Sequence, residues 1–417
     1  MKERKILIIG SIITLIISLA VLSFFPGWST SAQEKSIKTL KLGATSNFGD
    51  RQGIQVKKCL ELLAEQLNKA GGLVVKGEKY LVEMIVYDDK FQADPGRVAF
   101  ERLVYGDKVK AIFSYGSAPV LAGIEVTEPN KVLLLTGAFA PQVMSPKYKY
   151  TLRTRANTLG YAATAVFGKK FLKPTIKTAV IIANDDHTGH SIAKDVEAAW
   201  EYCNLQILDK LYFKRGTVDL NPLGAKLKSL NPDFVDYAGI MSGAETLRLA
   251  KAVYQSGWKG QIWAELAQTT VPDIVGASGK EAVEGMIVMM IDPTVIPNPP
   301  PLALPFRKAY VEKYGEWEID GIRWIDGWFY FVEAVKKANG LDPEAIASAM
   351  QGMEIETIMG TSRMCRRPDL GNNRYVDSGT TKYFGQVRDG KVVYLDRVSA
   401  IDGIRIAEKI FGGGKWD

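Results

Sequence analysis

The sequence predicts an α/β protein built as two doubly wound, mainly parallel-sheet lobes. Three observations carry that expectation. Short apolar runs alternate with amphipathic helical stretches from Thr39 onward, the connections are short, and the alternation starts afresh after Tyr161–Phe171. At 417 residues, 47% hydrophobic and 24% charged, the chain has room for two such units.

Residues 1–32 stand apart from this pattern. Lys2–Lys5 is a basic n-region, Ile6–Phe25 is apolar, and Pro26–Ala32 is small and polar. Thr30-Ser31-Ala32 offers a cleavage site before Gln33, so 1–32 reads as a signal peptide and the mature protein as periplasmic or extracytoplasmic. The apolar run is also long enough to anchor the chain, uncleaved, in a bilayer core of about 30 Å. Cys59, Cys203 and Cys365 are odd in number and far apart, with neither zinc spacing nor an evident pairing. The net charge is +7, but the two signs are mixed and no Lys/Arg run is dense enough for a nucleic-acid footprint.

In the first unit, Thr39–Ala44 reads as a strand, Ser46–Gly53 as a polar loop, and Ile54–Leu67 as a helix closed at Gly71-Gly72. Tyr80–Val86 is the second strand, and Asp94-Pro95 starts a helix through Val104. Ala111–Ser114 is a buried-type strand. Tyr115-Gly116-Ser117 then turns into a helix that Pro119 is placed to start and Pro129-Asn130 ends, before the strand Val132–Leu135. Two βα turns thereby lie side by side at the carboxyl ends of adjacent parallel strands. Backbone N–H groups, the Ser117 hydroxyl and a helix N-terminus converge there on an entering anion.

Tyr150–Thr154 is an extended link to the helix Tyr161–Phe171. The second unit follows with strands Thr178–Ala183, Ile207–Phe213, Phe234–Ala238, Gln261–Ala264 and Gly285–Met290. Between them lie a helix to Trp200, one from an Asp219 N-cap to Leu230, one over Ala244–Tyr254, and a polar loop after Glu265. Asp292–Pro305 carries six prolines and reads as a loop crossing between lobes. Helices are expected over Pro305–Tyr314, Trp324–Ala338 and Pro343–Met350. The tail has hairpin character, with Thr381–Val387 and Val392–Leu395 joined at Arg388-Asp389-Gly390, and Gly412–Gly414 is expected to fray.

Several motifs run in a specific order: LNKAGGL (67–73), VYDDKFQADPGRV (86–98), YGS (115–117), TGAFAP (136–141), YTLRTRANTLGYAATA (150–165), EGM (284–286) and FGQVRDGK (384–391). In order and spacing the chain resembles the type I periplasmic solute-binding proteins of branched-chain amino acid (leucine/isoleucine/valine-binding) ABC transporters, over essentially everything from Thr39 on. The resemblance implies a Venus-flytrap with three hinge crossings. One lobe would be 37–152 plus 294–357 and the other 153–293 plus 358–417, closing on the ligand by hinge bending.

The resemblance also supplies ligand residues. Ser117, beside Gly116, matches the serine whose hydroxyl and neighbouring amides take the ligand carboxylate; the alternative is a plain helix N-cap. Gly137 and Ala138 match the loop whose backbone faces the ligand, the alternative being a tight turn. Phe139 stands where the amino-acid binders carry Thr, which removes a hydroxyl partner. Glu265 matches the acid that pairs with the ligand ammonium, against the alternative of a solvated loop glutamate. Thr188 and Met241, with Ser242 beside it, fall near two family aromatic positions, and losing both weakens an ammonium cage. Phe48 is a candidate aromatic from the first loop. Trp263, Trp324, Trp328 and Tyr330 are candidates for the cleft or the core. Asp185-Asp186-His187 with His190 is the one metal-like cluster, but a strand-to-helix turn favours capping, so no metal and no cofactor is expected.

The resemblance implies a monomeric binding protein that delivers an amino acid, or a related small carboxylate or amide, to ABC permease subunits. Two other classes are weighed against it. An exported enzyme is disfavoured by the absence of G-x-G-x-x-G after the first strand, a P-loop, G-x-S-x-G or H-E-x-x-H, and by a total of two histidines. A membrane-anchored sensory domain would share the fold and keep residues 1–32.

Overall fold

The computed structural model describes residues 37–155, 158–240, 243–264, 271–289, 292–317 and 321–417. Residues from Ile37 to Asp417 form one compact unit. The signal-peptide reading of 1–32 lies outside the described residues.

The first sheet is built from β1 (Lys38–Ser46), α1 (Arg51–Lys69), β2 (Leu73–Val75), β3 (Glu78–Asp88), α2 (Ala93–Glu101), β4 (Ala111–Ser114), α3 (Ser117–Thr127), β5 (Leu133–Thr136) and β6 (Thr151–Arg153). Its strand order is β2-β3-β1-β4-β5-β6, with every neighbouring pair parallel except β2 against β3. β4 and β5 are buried at every position, as strands covered on both faces must be.

The chain then passes to α4 (Thr158–Phe171) and a second unit: β7 (Thr178–Asn184), α5 (His187–Tyr202), β8 (Gln206–Phe213), α6 (Asn221–Leu230), β9 (Phe234–Tyr237), α7 (Gly243–Gln255), β10 (Gln261–Ala264), α8 (Val271–Ser278) and β11 (Ile287–Met289). It returns to the first sheet with α9 (Ala303–Tyr314), α10 (Asp326–Ala338) and α11 (Pro343–Ala349). On α10, Trp328, Phe331, Val332 and Val335 are all buried at i, i+3, i+4, i+7 spacing, the stripe that seats a helix on a sheet. A separate antiparallel sheet of β12 (Glu354–Thr357), β13 (Gly360–Arg367) and β14 (Asn372–Thr380) follows. β15 (Lys382–Arg388) and β16 (Lys391–Val398) then complete the second sheet, in the order β16-β15-β11-β10-β9-β7-β8. The last helix is α12 (Ala400–Phe411).

The differences from the sequence reading have physical causes. The polar loop expected after Glu265 contains α8, whose buried Val271 and Ile274 pack it onto the second core. The tail is more than a hairpin, because β13, β14 and α12 precede and follow it. Its end does not fray: Trp416 is fully buried, and its carbonyl accepts from the Arg366 amide at 2.6 Å. Asp219 contributes one bond to the start of α6 (Asn221 N to Oδ1, 2.9 Å), but the cap position itself is Leu220. Among the described residues, no helix is long and apolar enough to cross a membrane.

The two units share a device at their first βα turn. Asp50 caps α1 and Asp186 caps α5, and the third helical residue in each case is a buried glycine, Gly53 or Gly189. A Cβ on Gly53 would sit 1.8 Å from the Asn47 carbonyl oxygen, and one on Gly189 2.0 Å from that of Asn184. The helix start is thus pressed onto the strand end by backbone contact. Glycine to alanine inside a helix ordinarily stabilises. Here the sign reverses: Gly189→Ala is expected to lower stability by ~1–3 kcal/mol, because rigid backbone must move. Urea unfolding measures this, and an unchanged or raised midpoint would show that the turn relaxes freely.

Candidate functional site

Five helices, α1, α2 and α3 from the first unit and α5 and α7 from the second, bring residues at or near their N-termini to one cavity of about 530 Å³ between the two sheets, Gln92 being the N-cap of α2. Asp50 and Gln52 of α1, Ala118 of α3, Asp186, His187 and Thr188 at the start of α5, and Glu245 and Arg248 of α7 all line it. Asp50 and Asp186 cap α1 and α5 and Glu245 stands in the first turn of α7, so carboxylates already meet part of the positive field of these ends, while Lys90, Arg215 and Arg248 bring cations to the same cavity.

Thr188 lines this cavity, and next to it the structure gathers five more of the residues singled out in the sequence, Gly116, Ser117, Gly137, Ala138 and Phe139, none of which is among the lining residues. Ser117 is the first residue of α3 and is buried; its side chain makes no cap. Its Oγ accepts instead from the Phe139 and Ala140 amides, both at 3.2 Å, and from Thr188 Oγ1 of the opposite unit at 3.2 Å. Gly116 leads into that helix, and Gly137 and Ala138 run alongside, with Gly137 N on the Ser114 carbonyl (2.9 Å) and Ala138 N on Thr136 Oγ1 (2.9 Å). Gly137 has to be glycine, because a Cβ there would approach the Trp324 ring to 2.6 Å.

Trp324 is the centre of an aromatic cluster. It stacks on Tyr115 at 4.7 Å between centroids and meets Phe139 edge-on at 6.2 Å, and Phe139 lies 6.4 Å from Tyr161. The Arg155 guanidinium sits 4.0 Å from the Trp324 centroid and 5.9 Å from that of Phe139. The Gln52 amide, with its oxygen turned to the donors, accepts from Trp324 Nε1 (3.1 Å) and from Arg323 Nη2 and Nε (3.0 and 3.2 Å). All four aromatics weighed for the cleft, Trp263, Trp324, Trp328 and Tyr330, are buried in the core, and Trp324 reaches the cavity only through its stack on Tyr115, which lines it.

The cavity wall above is strained. Lys90 and Phe91 both have left-handed backbones (φ 50° and 57°) and both line the cavity. Their amides are held by the preceding acids, Lys90 N on Asp88 Oδ1 at 2.9 Å and Phe91 N on Asp89 Oδ1 at 2.8 Å. Asp89 is buried, and burial pushes its carboxyl up to about 6, although the Phe91 amide and the Thr45 hydroxyl bond its charged form. Non-glycine residues in this region cost about 1–3 kcal/mol each and gather at ligand sites.

The second unit supplies charge. Arg215 Nε bonds Asp186 Oδ2 at 2.5 Å, and its guanidinium lies 5.1 Å from the Phe91 centroid across the cleft. Glu245 accepts from Gly216 N (2.7 Å) and Asn184 Nδ2 (3.1 Å). Arg51 and Asp273 add a loose pair at 3.8 Å between the units. Asp185 pairs with His190 (2.9 Å) while Asp186 caps α5, so the metal-like cluster is engaged in turn and cap bonds. Among the described residues no group of three or more His, Cys, Asp or Glu is placed to hold a metal. Glu265 and Met241 lie outside the described residues. Phe48 is half-buried beside Lys57 (6.0 Å) and is not among the residues lining the cavity. Sequence reasoning did not single out Gln52, Phe91, Arg215, Glu245 or Arg248.

The profile of a family described as periplasmic binding protein matches residues 42–390. The leucine-, isoleucine-, valine-, threonine- and alanine-binding protein of Pseudomonas aeruginosa is 26% identical over 79% of this chain and 85% of its own length. A leucine-binding protein LivK from Thermotoga maritima superposes with a TM-score of 0.69 at 22% identity, covering 87% of this chain and 99% of that one. A solute-binding protein of an ABC transporter from Rhodopseudomonas palustris BisB5, in complex with 3,4-dihydroxybenzoic acid, gives 0.70 at 18% identity over 87% and 98%. At these identities the two structures establish a shared fold.

Proposed function

The chain belongs to the periplasmic binding protein family, and from that membership we propose that it is the extracytoplasmic solute-binding component of an ABC importer. Its family and relatives are binding proteins, not enzymes. It captures a small carboxylate, an amino acid of the branched-chain type or a related acid or amide, and presents it to permease subunits. Residues 1–32 direct export, and the lobes divide as 37–152 with 294–357 and 153–293 with 358–417.

The observation that carries this reading is the convergence of five helix N-termini, three from the first unit and two from the second, on one cavity that also holds Lys90, Arg215 and Arg248. Such a cavity is completed only when the two sides come together, so an anion bound there favours the closed arrangement over the open one. Ser117 to Thr188 and Arg215 to Phe91 already bridge the two sides. By the resemblance, Ser117, Gly116, Gly137, Ala138 and Phe139 are assigned to one side of the ligand site and Thr188 to the other. Glu265, Met241 and Phe48 are assigned by resemblance alone.

Thermal unfolding of residues 37–417, refolded to strip carried-over solute, tests the proposal against aliphatic amino acids, short amides and aromatic carboxylates. A ligand at ~100-fold its Kd adds about 2.7 kcal/mol, so the midpoint should rise by several degrees with at least one class. No shift with any of them would overturn the solute-capture reading.

A further inference from the structure

The buried Ser117–Phe139 group has little left to offer a carboxylate in this arrangement and does not line the cavity. Ser117 Oγ already accepts from two amides and from Thr188, and the Phe139 and Ala140 amides are directed at that oxygen. Trp324 covers Gly137. The open volume lies further out, with Phe91, Tyr115, Arg215 and Arg248 among its lining residues and Arg215 already resting on the Phe91 ring.

The two arginines are brought together by the fold. The Gly216 amide bonds Glu245, which pins the turn carrying Arg215 onto the first turn of α7, and Arg248 follows Glu245 by three residues on the same helix face. Arg215 Nη2 and Arg248 Nε are both buried, and neither has a hydrogen-bond partner among the described residues. A buried guanidinium N–H without an acceptor is costly, so two in one cavity mark where an acceptor belongs. Asp186 and Glu245 do not fill that role for these atoms: Asp186 caps α5 and binds Arg215 through Nε, and Glu245 holds Gly216 and Asn184. Two aromatic rings line the same cavity, Phe91 and Tyr115, with centroids 5.8 Å apart and planes inclined at 52°, and Phe91 is held there in its strained backbone by Asp89.

Resting on the solute-capture reading, we propose that Arg215 and Arg248 anchor the ligand carboxylate and that Phe91 and Tyr115 receive a flat, unsaturated body. The preferred solute is therefore an aromatic carboxylate rather than an aliphatic zwitterion. Planar guanidinium groups match a carboxylate, and the rings reward a π-face more than a branched alkyl chain.

Isothermal titration of residues 37–417 with benzoate, cyclohexanecarboxylate and leucine tests this. Benzoate should bind more tightly than either of the others. Arg248→Met should weaken benzoate ~10–100-fold, the range expected for losing a hydrogen bond to a charged group, and Arg248→Lys should recover part of it. Arg215→Met should weaken it comparably. Because Arg215 also supports the α5 cap, the Arg248 variants are the deciding pair, and thermal unfolding verifies that each is folded. Leucine binding tightest, with no dependence on Arg248, would overturn the arginine anchor and leave solute capture standing. Benzoate bound equally well by wild type and both arginine variants would also overturn it. Inorganic phosphate binding as tightly as benzoate would remove the role of the two rings. No binding of any of these solutes would sink the inference and weigh against solute capture itself.

Discussion

Asp377→Ala is expected to cost ~3–5 kcal/mol of stability, the loss typical of removing one partner from a buried ion pair. Asp377 on β14 and Arg153 on β6 are both fully buried. Arg153 Nε bonds Asp377 Oδ1 at 2.7 Å and its Nη2 reaches Oδ2, a two-point fork in the geometry that suits guanidinium and carboxylate. Arg367 on β13 adds a second cation, with Nη1 3.0 Å from Oδ2, and forks Asp369 as well. Without Asp377, Arg153 would keep its charge in the interior with its carboxylate gone. The damage would also reach the site, because Arg153 Nη1 donates to the Phe139 carbonyl at 3.3 Å in the Gly137–Phe139 loop. Urea unfolding of Asp377→Ala and Asp377→Asn measures the effect, the asparagine retaining part of the hydrogen bonding. A loss under ~1 kcal/mol in both would show that water or a rearranged acid compensates Arg153.

The parts of the fold legible in the sequence are those where local pattern and tertiary role coincide. Ala111–Ser114 and Gln261–Ala264 are strands at those same bounds because each is a short apolar run with turn residues at its ends. β13 escaped because its inward positions include Ser362 and Arg367, which are buried by pairing rather than by hydrophobicity. Ser362 bonds Tyr330 at 2.9 Å and Thr380 at 3.0 Å, and Thr380 in turn bonds Asp326. No period-two apolar signal survives in such a strand. β2 escaped for a plainer reason: three residues are too few to show a period.

The site divides in the same way. Ser117, Gly137 and Phe139 became visible through motifs and Thr188 through the family resemblance, and the structure brings them together around one hydroxyl and one ring. The arginines did not. Arg215 lies in a surface turn and Arg248 in a helix, where a charged residue ordinarily signals solvent. Only the pinning of that turn to α7 by the Gly216–Glu245 bond places them in one cavity. Phe91 was equally hidden, because its orientation depends on a left-handed backbone that no side-chain pattern announces.

Trp324→Ala is expected to lower stability by ~3–5 kcal/mol, as for other large aromatic truncations in a packed interior. The ring is 6% exposed, stacks on Tyr115, meets Phe139 and carries Arg155 on its face, and its Nε1 has an acceptor in Gln52. Gly137 is shaped to it, so the backbone there cannot close the void by bringing in a side chain of its own. Urea unfolding gives the stability term, and titration with leucine and benzoate gives the second readout. The two together separate a structural ring from a movable plug. A ring that is fixed core should take stability with it and loosen both solutes alike, through Tyr115 and the Gly137–Phe139 loop. A loss below ~1 kcal/mol, with leucine binding gained, would mean that Trp324 sits in the Ser117 pocket as a displaceable occupant. In that case the Ser117 pocket, rather than the arginine pair, would be the true carboxylate site.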